Sequence, residues 1–188
     1  MTEATTPAET TAALKERAGV VNALLDGTQT VLVRHPTLDP GTIDERFVLY
    51  PAYSHQEPAR YQSRYADYYH RASAKPDAGL PIRAVVDVRE EYTVSASEDD
   101  LESLARHYVY SPDGLCDKYD PDDGLRVLLL RVSELESPRL IEERGSYRGC
   151  RAWIDLADDV EVDTNAATPV LDDATFAERR AAVRDALD

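Results

Sequence analysis

The sequence has few of the residues on which several common protein chemistries depend. Its 188 residues include two cysteines, one tryptophan and one methionine, and only three lysines, Lys15, Lys75 and Lys118. Cys116 and Cys150 lie far apart and not in a CxxC pair, so they predict neither a zinc ribbon nor a dithiol redox site. We expect both to be reduced thiols.

The motifs of the commonest enzyme classes are also missing. The sequence contains no P-loop, GxGxxG, HExxH or GxSxG. A restriction-type nuclease centre usually has an acid two positions before a lysine, but Ala13, Ser73 and Cys116 stand there. The sequence therefore predicts no cofactor and no metal site of a familiar kind.

Long hydrophobic runs are absent as well. No segment approaches the roughly 20 apolar residues of a transmembrane helix. The first residues include Glu3, whereas a signal peptide starts with basic residues. We expect a cytoplasmic protein with no membrane partner.

Acidic residues, in contrast, are abundant along the whole chain. The 36 Asp and Glu residues outnumber 21 Lys and Arg, which gives a net charge of −15. Such a chain repels itself and phosphate backbones in dilute salt, but molar salt shortens the screening length to about 3 Å. The pattern predicts a protein of a salt-accumulating halophile, an archaeon. Most acids should be solvated, and a magnesium site at Asp87, Glu90 and Glu91 is the less favoured alternative.

Hydrophobic periodicity predicts helices and strands in mixed order. Thr6, Pro7 and Glu9 favour a helix start, and helical spacing continues to Gly27, which should end the helix. Further helical patterns cover residues 58–71, residues 97–108 and the chain from Leu171. Extended patterns cover residues 30–33, 47–50, 82–88, 125–132 and 150–156.

These elements predict a single domain of the α+β class. We expect a disordered N-terminus at residues 1–5 and one domain at residues 6–188, with its core at 12–156 and a C-terminal helical extension at 171–188. The predicted architecture is a curved mixed β-sheet, in one version a partial barrel, with packed helices and a C-terminal helix.

Polar side chains follow the predicted strand 47–50. Tyr53, His55 and Gln56 place a phenol, an imidazole and an amide where a strand ends and a helix begins, which favours a binding or proton-transfer site. The alternative is that His55 and Gln56 only satisfy nearby backbone groups. Arg34, at the end of the preceding strand, is a fork for a carboxylate or phosphate, although pairing with a surface acid is commoner.

Two aromatic segments are further candidates. Trp153, close to Arg151, is an aromatic wall for a base in one interpretation and a core residue in the other. The tyrosines at 61, 65, 68 and 69 alternate with arginines and could stack on bases, but a buried aromatic face is the commoner role of such a stripe.

Several segments together resemble one family. Leu14-Lys15-Glu16, Leu32-Val33-Arg34, the run 47–51 with Tyr53, His55 and Gln56, and the later run 147–154 are similar to the family called domain of unknown function 1802. The resemblance covers about residues 12–156. It implies an association with DNA-processing or restriction genes and a likeness to small PUA-type barrels, without an established activity. The run 35–38 replaces a basic, glycine-rich turn of the family, which argues against a phosphate cradle there.

Two functions from different classes follow from these candidates. The first is a binding module whose pocket, lined by Arg34, Tyr53, His55 and Trp153, holds a nucleotide or a base of a nucleic acid. The second is a hydrolase or nuclease with His55 as general base and Arg34 stabilising an anion. A docking protein with an aromatic face is a third. The first two require His55, Arg34 and Trp153 to line one cavity.

Overall fold

A computed structural model describes residues 9–37, 46–117, 123–149, 151–156 and 162–187. The strands are β1 (Glu9–Thr10), β2 (Ala12–Arg17), β3 (Val31–Arg34), β4 (Arg46–Ala52), β5 (Leu80–Val94), β6 (Leu125–Ile141), β7 (Trp153–Asp155), β8 (Val162–Asp163) and β9 (Ala167–Pro169). The α-helices are α1 (Ala18–Leu25), α2 (Ala66–Arg71), α3 (Glu98–Ala105), α4 (Pro112–Cys116) and α5 (Asp173–Leu187).

Seven strands form one mixed sheet. Its order is β3-β6-β5-β4-β2-β7, and β9 pairs with β6 on a side branch, whereas β1 and β8 form a separate two-stranded sheet. Strands β2 and β4 run parallel, and the other pairs are antiparallel. The presence of this mixed sheet together with α-helices confirms the α+β prediction. Strands β3 and β7 are the two edges of the sheet and do not pair with each other, so the sheet does not close into a barrel.

The two longest strands, β5 and β6, pair antiparallel within the sheet, and α3 and α4 lie between them in the chain. Residues 125–132 of β6 are all buried, which explains their almost continuous apolar sequence. Register shifts between Ile82 and Ala84 and between Val88 and Glu90 interrupt the β5–β6 ladder. Such bulges increase strand bending and twist, which allows the long β5–β6 pair to curve around the core.

Both faces of the sheet bury side chains. Leu14 and Leu49 belong to the larger hydrophobic cluster, which includes the buried residues of α1 and α3. Ala13 and Val48, their neighbours in sequence, belong to the second cluster on the other face. This alternation follows from the two-residue period of a strand.

The helix predicted from Thr6 to Gly27 is wrong for residues 9–17. Residues 1–8 lie outside the described part of the chain, β1 and β2 follow them, and α1 begins only at Ala18. Strand β2 is held between β4 and β7, so pairing with two neighbours overrides the helical spacing of Leu14 and Ala18. The predicted end is confirmed, since Gly27 has φ +68° and donates to Leu24 O after α1.

The predicted helix at 58–71 is divided into three pieces. Two 3₁₀ turns, Pro58–Arg60 and Ser63–Tyr65, precede the short helix α2. Tyr61 forms a β-bridge with Tyr110 between these turns. The neighbouring Gln62 donates through its backbone N–H to Val109 O (3.0 Å), so these contacts interrupt the helix.

The remaining sequence predictions match the elements more closely. The segments at 30–33, 47–50, 82–88 and 125–132 fall on β3, β4, β5 and β6, although β5 and β6 are longer than predicted. Segment 150–156 contains only the short strand β7, and Cys150 lies outside the described residues. Helix α3 has Ser97 as its N-cap, with Asp100 N–H donating to Ser97 Oγ (3.2 Å). No helix of the described residues is both long and apolar enough to cross a bilayer.

Candidate functional site

A cleft lies where the parallel strands β2 and β4 end. Their register pairs Lys15 with Tyr50 and Arg17 with Ala52, so both strands deliver their last residues to the same edge of the sheet. Strand β7 runs antiparallel to β2, and Lys15 N–H donates to Ala152 O (2.8 Å) just before β7 begins. The chain segment before β7 is thereby brought to the same place.

The cleft has a volume of about 850 Å³, and its lining contains more cations than carboxylates. Two lining residues are carboxylates, Glu16 and Glu143. The lining cations are Lys15, Arg17, Arg34, Lys75, Arg148 and Arg151. This excess of positive charge is local, because the whole chain carries a net charge of −15. Two of the three lysines of the sequence are among these cations.

The charged side chains of β2 alternate between the two faces of the strand. Lys15 and Arg17 follow Ala13 on the face of the second hydrophobic cluster, whereas Glu16 follows Leu14 and is only 3% exposed. Arg17 donates through Nη1 to Ser54 O (3.0 Å), which fixes the loop after β4. Side chains on one face of β2 therefore supply part of the positive wall.

Arg34 lies at the rim of the cleft but is engaged with the protein. Its Nη2 donates to Lys15 O (2.7 Å) and lies 3.1 Å from Glu16 Oε2. Both side chains of this ion pair are buried, so removing one partner would leave a buried charge without compensation. Of the two interpretations of Arg34 from the sequence, these contacts correspond to pairing with an acid.

Three aromatic and apolar residues form the floor of the cleft. Tyr50, Tyr147 and Leu80 are 3%, 5% and 2% exposed. The Tyr147 hydroxyl donates to Leu156 O (2.9 Å), and the two tyrosine rings meet edge-to-face with centroids 6.1 Å apart. Burial, and then the charge of Glu143, raises the pKa of Tyr50 to about 12, so its phenol is neutral at physiological pH.

Glu143 bridges two of the lining cations. Lys75 Nζ donates to Glu143 Oε2 (2.9 Å), and an Arg148 guanidinium nitrogen lies 3.9 Å from the same oxygen. The hydrogen bond from Lys75 lowers the pKa of Glu143, which keeps this carboxylate ionised. Glu143 lies in the loop that follows β6.

His55 projects from the loop between β4 and the first 3₁₀ turn. It lines the cleft together with Tyr53 and Ser54, and its side chain is exposed. Its backbone has φ +54°, a left-handed conformation that non-glycine residues adopt uncommonly, although His is enriched among them. Such a conformation persists only where surrounding structure fixes it, and it is commoner at functional sites than elsewhere.

Gln56 has a structural position outside the cleft lining. Its Nε2 donates to Ala72 O, and its Oε1 accepts from Gly19 N–H (3.2 Å). These bonds join the loop to the start of α1 and the end of α2. They correspond to the alternative interpretation of Gln56, which satisfies backbone groups.

Trp153 is turned away from the cleft. It faces Leu14 across the β2–β7 pair and packs edge-to-face on Phe47, with ring centroids 4.9 Å apart, in the larger hydrophobic cluster. The expectation that Trp153 shares a cavity with His55 and Arg34 is therefore wrong in its placement of the indole. The strand period is the cause, because Trp153 and Ile154 point to opposite faces of β7.

The tyrosine stripe is also core. Tyr61 and Tyr68 are 6% and 8% exposed, and the rings of Tyr61 and Tyr110 meet edge-to-face with centroids 4.9 Å apart. Tyr65 and Tyr69 pack against the same cluster. These residues correspond to the commoner interpretation, a buried aromatic face.

No group of three or more metal-ligating side chains occurs within the described ranges. The carboxylates of the magnesium alternative instead pair with arginines: Asp87 with Arg46, Glu90 with Arg180 and Arg184, and Glu91 with Arg126.

Comparison with known proteins gives the family. The sequence profile of the family described as Domain of unknown function (DUF1802) matches residues 13–182. The chain belongs to this family. None of the curated proteins matches it.

Solved structures show the fold that this DUF1802 protein shares. The crystal structure of ASCH from Zymomonas mobilis superposes with a TM-score of 0.50 at 15% identity and covers 79% of this chain and 88% of that chain. A crystal structure of a mutant of the same Zymomonas mobilis protein gives a TM-score of 0.50 at 16% identity, with 81% and 92% covered. At these identities the likeness concerns the fold alone.

The sequence alone predicted part of the cleft of the DUF1802 chain. Of the predicted residues, Arg34, Tyr53, His55 and Arg151 line it, and Gln56 and Trp153 do not. It did not single out Lys15, Arg17, Lys75, Tyr50 and Glu143. The alternation of Lys15 and Arg17 indicates a cationic face of a strand, but only if residues 12–17 are assigned to a strand.

Proposed function

We propose that this DUF1802 protein binds a nucleic acid strand or a nucleotide in the basic cleft. The observation that carries the proposal is the concentration of six cationic side chains, with two carboxylates, in one cleft of a chain whose net charge is −15. An acidic protein repels phosphates over most of its surface, so a local basic cleft is where a polyanion can approach.

The cleft offers the contacts that a strand requires. Arg148 and Arg151 are exposed at its rim and can donate to phosphate oxygens in the bidentate geometry that suits a guanidinium. Tyr53 is a half-buried ring in the same lining on which a base can stack, a contact worth about 1–3 kcal/mol. A volume of about 850 Å³ is ample for a nucleotide.

The acidic composition belongs to the same proposal. We infer adaptation to a halophilic, archaeal cytoplasm, where molar salt screens the net charge and weakens counterion release. Stacking and direct hydrogen bonds then supply most of the affinity. The link to DNA processing or restriction that the family resemblance implies makes single-stranded DNA a ligand to test beside RNA.

Fluorescence anisotropy of labelled single-stranded DNA and RNA, in dilute and in molar KCl, tests the proposal. Arg151→Ala should weaken binding about fivefold, because one exposed charge-assisted contact contributes about 1 kcal/mol. Its matched control is Arg179→Ala, which removes an exposed arginine of α5 outside the cleft. Equal affinities of the two variants, or no binding by the wild-type protein, would refute the assignment.

A second candidate is a hydrolase or nuclease with His55 as general base. The specific observation in its favour is the left-handed backbone that holds His55 at a cationic cleft. An imidazole there can accept a proton from water while arginines stabilise the developing anion. Hydrolysis of oligonucleotides by the wild-type protein, lost in His55→Ala, supports this candidate, and turnover retained by His55→Ala removes it.

A further inference from the structure

The floor of the cleft carries a polar group that makes no hydrogen bond to the described residues. The Tyr50 hydroxyl is buried and has no hydrogen-bond partner among the residues that the structure describes. Tyr147 beside it donates to Leu156 O, so the two phenols differ. A buried hydroxyl without a hydrogen-bond partner destabilises the structure, and a ligand oxygen that accepts a hydrogen bond from it would offset this cost.

Lys15 lies beside the Tyr50 ring. Lys15 Nζ lies 5.9 Å from the centre of the Tyr50 ring and donates to Gly149 O (3.2 Å). The ammonium charge of Lys15 favours an anion at this place in the cleft. Because its phenol is neutral, Tyr50 presents an O–H donor and no competing negative charge.

Glu143 shows which kind of ligand group suits these donors. Its ionised carboxylate accepts from Lys75 and lies within 3.9 Å of Arg148 in the same cleft. A carboxylate is thus already held by cations that line the site. An anion with more charge and more acceptor oxygens can replace it there.

We propose that the cleft floor is a subsite for a terminal phosphate monoester of the bound strand or nucleotide, held by Tyr50, Lys15 and the cations that pair with Glu143. This inference rests on the proposed function. A monoester carries a charge of about −1.5 to −2 at pH 7 and three acceptor oxygens. An internal phosphodiester has one charge and continues as chain on both sides, so it reaches a buried floor less readily.

Binding of the same short single-stranded oligonucleotide in three forms tests the inference: 5′-phosphorylated, 3′-phosphorylated and unphosphorylated. Titration calorimetry in molar KCl gives the affinity of each form. We expect one phosphorylated form to bind about tenfold more tightly than the unphosphorylated form, because about one or two charge-assisted hydrogen bonds are added. The arm that binds tighter identifies the end of the strand that enters the cleft.

Two matched pairs of variants locate the effect. Tyr50→Phe should reduce the preference for the phosphorylated form to about twofold or less, while Tyr68→Phe, a buried tyrosine outside the cleft, should keep it. Glu143→Gln should increase the preference about threefold, since it removes a competing charge. Glu142→Gln changes the net charge equally but lies outside the lining, and should not.

Each outcome decides between the two proposals. If the three oligonucleotides bind with equal affinity, the phosphate subsite is refuted and the proposed function stands. If none binds, both are refuted. If Tyr50→Phe keeps the preference for the phosphorylated oligonucleotide, the cleft floor is excluded as the origin of that preference. If Tyr50→Phe does not fold, Lys75→Gln serves as the test instead, because it should also lower the preference.

Discussion

Neutralising Glu90 should destabilise the fold by a pH-dependent amount. Glu90, on β5, accepts hydrogen bonds from Arg180 and Arg184 of α5, and this contact anchors the C-terminal helix to the sheet. Hydrogen bonding from Arg184, followed by Tyr92 and Arg180, outweighs burial and lowers the pKa of Glu90 to about 2 from its usual 4.5. The Glu90 side chain is 14% exposed, whereas those of its arginine partners are 43% and 48% exposed.

The pKa shift of Glu90 gives the size of its contribution to the free energy of unfolding. Because one pKa unit corresponds to about 1.4 kcal/mol, the full shift corresponds to about 3 kcal/mol. The arginines are half exposed and screened by solvent, so we expect about 1–2 kcal/mol in the free energy of unfolding. The folded pKa is depressed, so this contribution is complete above about pH 4.5 and is lost as the pH falls towards 2.

Urea unfolding followed by circular dichroism measures the effect. The wild-type protein should be about 1–2 kcal/mol more stable than Glu90→Gln at pH 7, and the difference should shrink steadily below pH 4.5. Glu178→Gln, on the exposed side of the same helix, is the control. A wild-type to Glu90→Gln difference that is absent at pH 7, or that stays constant down to pH 2.5, would refute the reasoning.

Two further predictions concern packing. Gly19→Ala should destabilise the fold by about 1–3 kcal/mol although alanine favours helices, because its Cβ would come 2.2 Å from the Tyr61 hydroxyl oxygen; a thermal melt checks this, and unchanged stability would contradict it. Trp153→Ala should lower the free energy of unfolding by about 2–4 kcal/mol, because the contact of the indole with Phe47 is lost. The folded variant should bind the oligonucleotide with unchanged affinity. A reduced affinity of the fully folded variant would contradict the placement of Trp153 outside the binding site.

The sequence predicted those elements whose pattern is set locally. Residues 125–132 are apolar almost without interruption because β6 is buried on both faces, and the N-cap at Ser97 precedes an acidic first turn of α3. The sequence predicts a helix where β2 lies, since the spacing of Leu14 and Ala18 fits a helix as well as it fits a strand. Only pairing with β4 and β7, which are distant in sequence, decides the matter.

The site was harder to predict than the fold for the same reason. His55 and Arg34 follow strands in an obvious way, so the sequence identified them. Lys75 and Arg148 lie in loops distant in sequence that both contact Glu143, and Tyr50 is indistinguishable in sequence from a core tyrosine. That its hydroxyl has no hydrogen-bond partner among the described residues becomes evident only when the neighbouring chain segments are in place.

The central claim is that nucleic acid binds in the cleft where β2 and β4 end. Backbone amide chemical shifts of the labelled protein, followed during titration with a single-stranded oligonucleotide in molar KCl, test it most directly. The account predicts shifts concentrated at the amides of the lining residues 15–17, 50, 52–55, 143, 147–149 and 151–152. Shifts confined to α3 and α5, or none at saturating oligonucleotide, would contradict it.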